Sequence, residues 1–145
     1  MKEFLYLRDD KLKEFIEKIF MGYRESFNDA KKTLNKYSIG IAHHKVIHLL
    51  SIYKGITISE LLKKLKITKQ SLNRVIRDLV KNKTILIKKG DIDSRQRRIY
   101  LNEKGRKLFG EIFMEQKKRI YNALKNSDSD SVIKFKNVLT KIINE

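Results

Sequence analysis

Between Ile56 and Leu101 the chain passes from two short helical patterns to two β-branched runs, and few folds accommodate that order. Thr57 and Glu60 stand at capping-box spacing, where each side chain satisfies a main-chain donor at a helix start. The helix that follows, Ser59–Leu65, has Leu61, Leu62 and Leu65 as its apolar positions. After Ile67, Thr68 is placed to cap a further helix over Lys69–Asn82. One face of that helix carries Leu72, Val75, Ile76 and Leu79; the other carries Lys69, Gln70, Ser71, Asn73, Arg74 and Arg77. Thr84–Ile87 then has strand composition, Lys88–Ser94 reads as a polar hairpin loop with Gly90 and two aspartates, and Gln96–Leu101 resumes as the partner strand.

An apolar helical pattern with Val46, Ile47, Leu49, Leu50 and Tyr53 precedes this block and stops near Lys54-Gly55, where glycine suits a helix end. Two helices, a tight turn, a third helix and a hairpin describe a winged helix-turn-helix over 41–101, with Lys69–Asn82 as its recognition helix. Long amphipathic helices flank it. Residues 9–34 repeat Leu12, Phe15, Ile16, Ile19, Phe20, Tyr23 and Phe27 at spacings of three and four, and Tyr37-Ser38-Ile39-Gly40 breaks the pattern. From Asn102, a helix cap, residues 103–145 carry Leu108, Phe109, Ile112, Phe113, Ile120 and Leu124, a cap at Ser127–Asp130, and a last helix with Val132, Ile133, Phe135, Val138, Leu139, Ile142 and Ile143. These stripes exceed what a small winged domain needs. Residues 9–34 and 103–145 are therefore expected to be dimerisation helices, and 1–145 a single, mainly α domain with a small β-hairpin.

The chain of 145 residues has 34 Lys and Arg against 17 Asp and Glu, a net charge of +17. Residues 53–109 hold 17 basic and 5 acidic side chains, a net +12, whereas residues 1–52 carry +3 and residues 110–145 carry +2. A Lys-, Ile- and Asn-rich composition would spread its lysines evenly. A concentrated block points to a surface for a polyanion, and here it coincides with the recognition helix and hairpin.

Other function classes are less well supplied. With no cysteine, the chain makes no disulfide, thiolate nucleophile or thiolate metal site. No glycine-rich phosphate loop, metalloprotease His-Glu motif or nucleophile elbow occurs, so no enzyme and no cofactor are expected. His44 and His48 are four apart, a spacing that can put two imidazoles on one metal. Nothing nearby completes a ligand set, so no metal is expected and a helix-face or interface pair is the reading. Phe15, Phe20, Tyr23 and Phe27 read as core or interface, with Tyr37 and Tyr53 as loose candidates for a cavity wall. No apolar run approaches the roughly 18 residues of a membrane span, and no secretory signal opens the chain, so a cytoplasmic protein that does not enter a membrane is expected.

Ile58-Ser59-Glu60-Leu61-Leu62, the run from Thr68 to Leu79, and above all Asp91-Ile92-Asp93-Ser94-Arg95 through Leu101-Asn102-Glu103-Lys104-Gly105 resemble the MarR family of transcription regulators. The wing signature of that family has an Asp-x-Arg element, a short strand, and Leu-Thr-x-x-Gly opening the next helix. The similarity is strong over 56–105, and the element order matches along nearly the whole chain. Three departures occur: no proline stands in the wing loop, Asn102 replaces the opening threonine, and Lys83 stands where a glycine usually follows the recognition helix, so that Asn82 is expected to supply any left-handed residue. The resemblance implies a homodimer with recognition helices in successive major grooves and wings at the minor groove. Many members also bind a small aromatic ligand that lowers DNA affinity.

In that setting the side chains divide by chemistry. Gln70, Asn73 and Arg74 suit base edges, because amides can read adenine and arginine guanine bidentately. Lys69, Ser71 and Arg77 suit phosphates, which position without specifying. In the wing, Arg95 suits the minor groove or a phosphate. Arg97 and Arg98 fall on opposite faces of a strand, so one of them faces DNA, and Asp93 is expected to orient a basic side chain. The sequence thus reads as a dimeric, sequence-specific regulator on a pseudo-palindromic duplex, acting by promoter occlusion or polymerase recruitment. The alternatives are a non-specific, nucleoid-type architectural protein, and a sensor or interaction module without specific DNA binding.

Overall fold

The computed structural model describes residues 4–143. After a 3₁₀ turn at Leu5–Leu7, seven helices and three strands follow: α1 (Asp9–Asn28), α2 (Lys31–Lys36), α3 (Ile41–Ile52), β1 (Ile56–Thr57), α4 (Ile58–Leu65), α5 (Lys69–Lys81), β2 (Ile85–Lys89), β3 (Arg97–Leu101), α6 (Glu103–Lys125) and α7 (Ser129–Ile143). This is the mainly α architecture with a small antiparallel sheet that the sequence implies. The chain divides into two compact units, one of residues 30–113 and one formed by the described residues up to Asp29 and from Met114 onward.

The unit 30–113 contains the buried core. Leu34, Val46, Ile47, Leu50, Leu61, Leu72, Leu79, Ile99 and Ile112 are each 2% exposed or less. The expected apolar face of the recognition helix is the one that is buried: Leu72, Val75, Ile76 and Leu79 all point inward. The hairpin pairs β2 with β3 from Ile85↔Leu101 to Lys89↔Arg97. The two-residue strand β1 adds to the other edge of β3, giving the order β1-β3-β2. That addition covers an edge of the wing strand, which would otherwise present unpaired main-chain groups.

Caps fix where the helices of this unit begin. Thr57 Oγ1 accepts from the Glu60 amide at 3.2 Å, and Thr68 Oγ1 from the Ser71 amide at 3.1 Å. Asn102 does more than cap. Its Oδ1 accepts from the Gly105 amide at 2.8 Å and its Nδ2 donates to the Lys83 carbonyl at 2.7 Å. Its own amide donates to the Thr84 carbonyl at 3.1 Å. One side chain and one amide thus tie the start of α6 to the turn that follows the recognition helix.

Two expectations about helix ends are corrected. The helical pattern of residues 9–34 is two helices, because α1 stops at Asn28. Asp29 turns its carboxylate to Arg119, with Nε at 2.6 Å and Nη2 at 2.9 Å, and Ala30 is fully buried at the start of α2. The left-handed residue after α5 is Lys83, with φ 58°, whereas Asn82 is right-handed at φ −79°. The Lys83 amide donates to the Val80 carbonyl at 3.0 Å and the Thr84 amide to the Leu79 carbonyl at 3.1 Å. This is the paired closure of a Schellman motif, which places the left-handed residue one beyond the cap whatever its side chain.

In the other unit, α1 and the later part of α6 are joined by the Arg119–Asp29 pair, by Arg119 with Glu25 at 3.7 Å, and by Gln116 with Ser26 at 3.4 Å. Asp128 caps α7, its Oδ2 accepting from the Ser131 amide at 3.0 Å. Neither α1 nor α7 has a buried residue. Leu12, Phe15, Ile16, Ile19 and Phe20 on α1, and Ile133, Phe135, Val138, Ile142 and Ile143 on α7, are all exposed in the single chain. Among the described residues no helix is long and apolar enough to cross a membrane.

Candidate nucleic-acid interface

Because the apolar stripe of α5 faces the core, its polar side chains face outward together. Lys69, Gln70, Ser71, Asn73, Arg74 and Arg77 are all exposed. The cap also orders a hydroxyl: Thr68 Oγ1 donates to Ser71 Oγ at 2.8 Å, and the Ser71 hydroxyl keeps its own proton to donate.

The wing lies beside this face. A cleft of about 510 Å³ is lined by Ser59 at the start of α4, by Lys69 and Asn73 on α5, and by Asp93, Arg95, Gln96 and Arg97 on the wing. Two elements, α5 and the wing, thus bring expected site residues to one concave surface, and α4 adds Ser59 to its wall. The charged residues in the lining are Lys69, Arg95 and Arg97 against Asp93.

The role expected of Asp93 is corrected in its detail. Its Oδ1 accepts from the main-chain amide of Arg95 at 3.0 Å, so it orders the loop backbone instead of clamping a basic side chain. The Gln96 amide donates to the Asp93 carbonyl, and the Gly90 amide to the Gln96 carbonyl, both at 3.1 Å, closing the loop. Arg97 folds back on the same loop, Nη1 donating to the Ser94 carbonyl at 2.9 Å. Arg98 turns the other way, with Nη1 on the Gly55 carbonyl at 2.9 Å, so its guanidinium joins the wing to the turn before β1. Arg95 stays at the exposed tip.

Sequence reasoning missed the support behind the recognition helix. His43 Nδ1 accepts from the Gly40 amide at 3.2 Å, which sets Nε2 as the protonated nitrogen facing Asp78 Oδ2 on α5 at 2.9 Å. These residues are 35 apart, and no local signal joins them. His44 is fully buried, and His48 is half-buried with its ring edge-on to Phe109 at 5.9 Å. Burial holds the His48 imidazole below its ordinary value. Among the described residues no group of three or more His, Asp or Glu is placed to hold a metal ion. Tyr37 donates to Glu111 at 2.8 Å, and Tyr53 carries the Lys64 ammonium 4.3 Å above its ring.

No family model matches the chain. A curated relative does: it is 36% identical over 135 residues to the HTH-type transcriptional regulator PetP of Rhodobacter capsulatus, covering 93% of this chain and 81% of the relative. Two solved structures share the fold at 20% identity. MarR of Staphylococcus aureus in complex with salicylate and kanamycin superposes with a TM-score of 0.73 over 92% of this chain and 91% of that one. A cysteine-to-serine variant of E. coli MarR complexed with operator DNA gives 0.67 over 97% and 99%. A relative of this identity and coverage, with the capped recognition helix and wing described above, establishes that the chain is a DNA-binding transcription regulator, not an enzyme, and that it belongs to the MarR family.

Proposed function

We propose that the chain acts in the cytoplasm as a homodimer on a pseudo-palindromic operator, with one recognition helix in each major-groove half-site and the wings at the flanking minor grooves. The observation that carries this reading is the convergence of Lys69, Asn73, Arg95 and Arg97 on one exposed cleft between α5 and the wing. Gln70, Asn73 and Arg74 read bases, while Lys69, Ser71 and Arg77 hold phosphates. Arg95 enters the minor groove, and Asp93 orders the loop that carries it. Arg97 is the strand arginine that faces DNA, and Arg98 braces the wing. Dimerisation is supported by the exposed apolar side chains of α1 and α7, a surface too extensive to stay wet. Burying it between two copies would make an interface of about 2,000 Å² or more. Release from DNA by a small aromatic ligand belongs to the same reading and is supported by the salicylate on the structural neighbour.

Binding-site selection with three proteins tests it. The wild type should recover an inverted repeat and prefer it over random duplex by roughly 10³ or more. Arg74→Ala should flatten the preference at one position per half-site, at a cost of about 1–3 kcal/mol, and Lys69→Ala should weaken all sequences alike. A wild type with no preferred site would favour the nucleoid-type architectural reading, and a folded monomer at low micromolar concentration would remove the homodimer.

A further inference from the structure

The recognition helix α5 carries four cations, Lys69, Arg74, Arg77 and Lys81, and a single acid, Asp78. A carboxylate is a liability on a helix that meets phosphates. Asp78 lies one turn after Arg74, and the Cα–Cβ bonds of a helix tilt toward its N-terminus, so Asp78 leans over the face that Arg74 occupies. Opposite charges at this i, i+4 spacing pair readily. The structure shows a different outcome. Asp78 Oδ2 meets His43 Nε2 of α3 at 2.9 Å, and Arg74 is exposed. Among the described residues, neither Arg74 nor Lys81, the cation three residues further on, is ion-paired with Asp78.

His43 is placed to hold that carboxylate. Its Nδ1 accepts from the Gly40 amide at 3.2 Å at the start of α3, so the ring proton sits on Nε2 and is donated to Asp78. The side chain of His43 is 19% exposed and that of Asp78 49%. The histidine is the enclosed partner, and the half-exposed carboxylate is the one with room to turn. We infer that His43 is a positioning residue for base readout: by holding the Asp78 carboxylate toward α3, it keeps the Arg74 guanidinium free for DNA. The consequence for DNA rests on the reading above, in which Arg74 reads a base; the holding of Asp78 away from Arg74 does not.

Without the histidine donor, Asp78 turns to the cation one turn back. Exposed pairs at this spacing favour the closed form by a factor of about two. An arginine that must first leave such a pair binds about threefold less tightly, which becomes about ninefold for a dimer that uses two half-sites. The loss falls on the base that Arg74 reads, because Lys69, Ser71 and Arg77 stand outside the pair. A simple brace between α3 and α5 has a different consequence: loosening α5 would weaken all contacts of the helix together.

The test compares the full chain with His43→Leu, His43→Gln, Asp78→Asn and the double variant His43→Leu/Asp78→Asn. Glutamine keeps both functions, Oε1 accepting from Gly40 and Nε2 donating to Asp78, so His43→Gln should behave as the wild type. In the free protein the Arg74 Nε–Hε resonance is followed by NMR. It should shift and exchange more slowly in His43→Leu and return in the double variant; an unmoved resonance overturns the inference. On the duplex recovered by site selection, His43→Leu should bind about ninefold more weakly and lose base preference at the position that Arg74→Ala flattens. Asp78→Asn removes a charge that repels phosphate in either background. Its gain in His43→Leu should therefore exceed its gain in the wild type by about that factor. Equal gains, or a loss spread over all positions, would reveal a brace and overturn the inference. If His43→Leu does not fold, His43→Glu, which keeps the acceptor for Gly40 and cannot donate to Asp78, is read in the same way. If Arg74→Ala leaves the selected site unchanged, the base-reading role of Arg74 fails, while the resonance still decides whether His43 keeps Asp78 off Arg74.

Discussion

Two glycines in the same helix should respond to the same substitution with opposite signs. Gly105 and Gly110 both lie in α6. In a helix free of neighbours, Gly→Ala stabilises by about 0.8–1 kcal/mol, since glycine loses more chain entropy on folding. Nothing lies within 4 Å of the space a Cβ on Gly110 would fill, so Gly110→Ala should gain roughly that amount. At Gly105 the Cβ would run into the Thr84 carbonyl oxygen and meet Leu101 Cδ2 at 3.1 Å. That oxygen also accepts from the Asn102 amide, in the junction that ties α6 to the turn after the recognition helix. Overpacking costs about 1–3 kcal/mol. Displacing the Thr84 carbonyl from the Asn102 amide costs about 1–3 kcal/mol more. Against a helix gain of about 1 kcal/mol, Gly105→Ala should be destabilised by roughly 1–5 kcal/mol. Urea unfolding at fixed protomer concentration measures both, because a dimer's midpoint depends on concentration. The melting temperature should move by roughly 2–4 °C per kcal/mol for a chain of this size. A Gly105→Ala protein as stable as the wild type would show that α6 does not approach Thr84 this closely, and the account of the junction would fall with it.

Further expectations concern the wing and acid stability. Asp93→Ala removes the acceptor that orders the Arg95 amide; it should weaken operator binding several-fold while leaving the far-ultraviolet circular dichroism unchanged, and an unaltered affinity would separate Asp93 from the wing's function. Arg95→Ala should remove one phosphate or minor-groove contact per subunit and make the slope of log K against log salt shallower by about 1.8 in a dimer. Burial holds His48 below its ordinary value of 6.5, so the folded state favours the neutral ring. Stability should therefore be lost as pH falls below about 6.5, and His48→Leu should flatten that limb of a pH–stability curve. Arg119 holds the Asp29 carboxyl below its ordinary value of 3.8, chiefly by hydrogen bonding. That contribution is present above pH 3.8 and lost as pH falls through the lowered value, so Arg119→Gln should lose stability at neutral pH and show a weaker acid transition.

What was legible in the sequence was local. Thr57, Thr68 and Asn102 each satisfy an amide three residues ahead, so residue type and spacing suffice to place them. The apolar stripe of α5 is likewise a property of one helix, and it fixed which face would be polar before any partner was known. The features that escaped depend on residues far apart. Asp29, the cap of α1, gives its carboxylate to Arg119, 90 positions later. His43 meets Asp78 across 35 residues, Tyr37 meets Glu111 across 74, and Arg98 reaches Gly55 across 43. Lys83 shows a subtler limit. Asparagine tolerates the left-handed region better than lysine, so propensity alone selects Asn82. The Schellman closure from Thr84 to Leu79 instead fixes the position by counting back from where α5 must end to bury Leu79 and start β2 at Ile85. Lysine there accepts the backbone cost, and its carbonyl is the one that Asn102 binds. The junction between recognition helix, wing and α6 thus specifies the conformation at Lys83, and the residue's own preference yields to it.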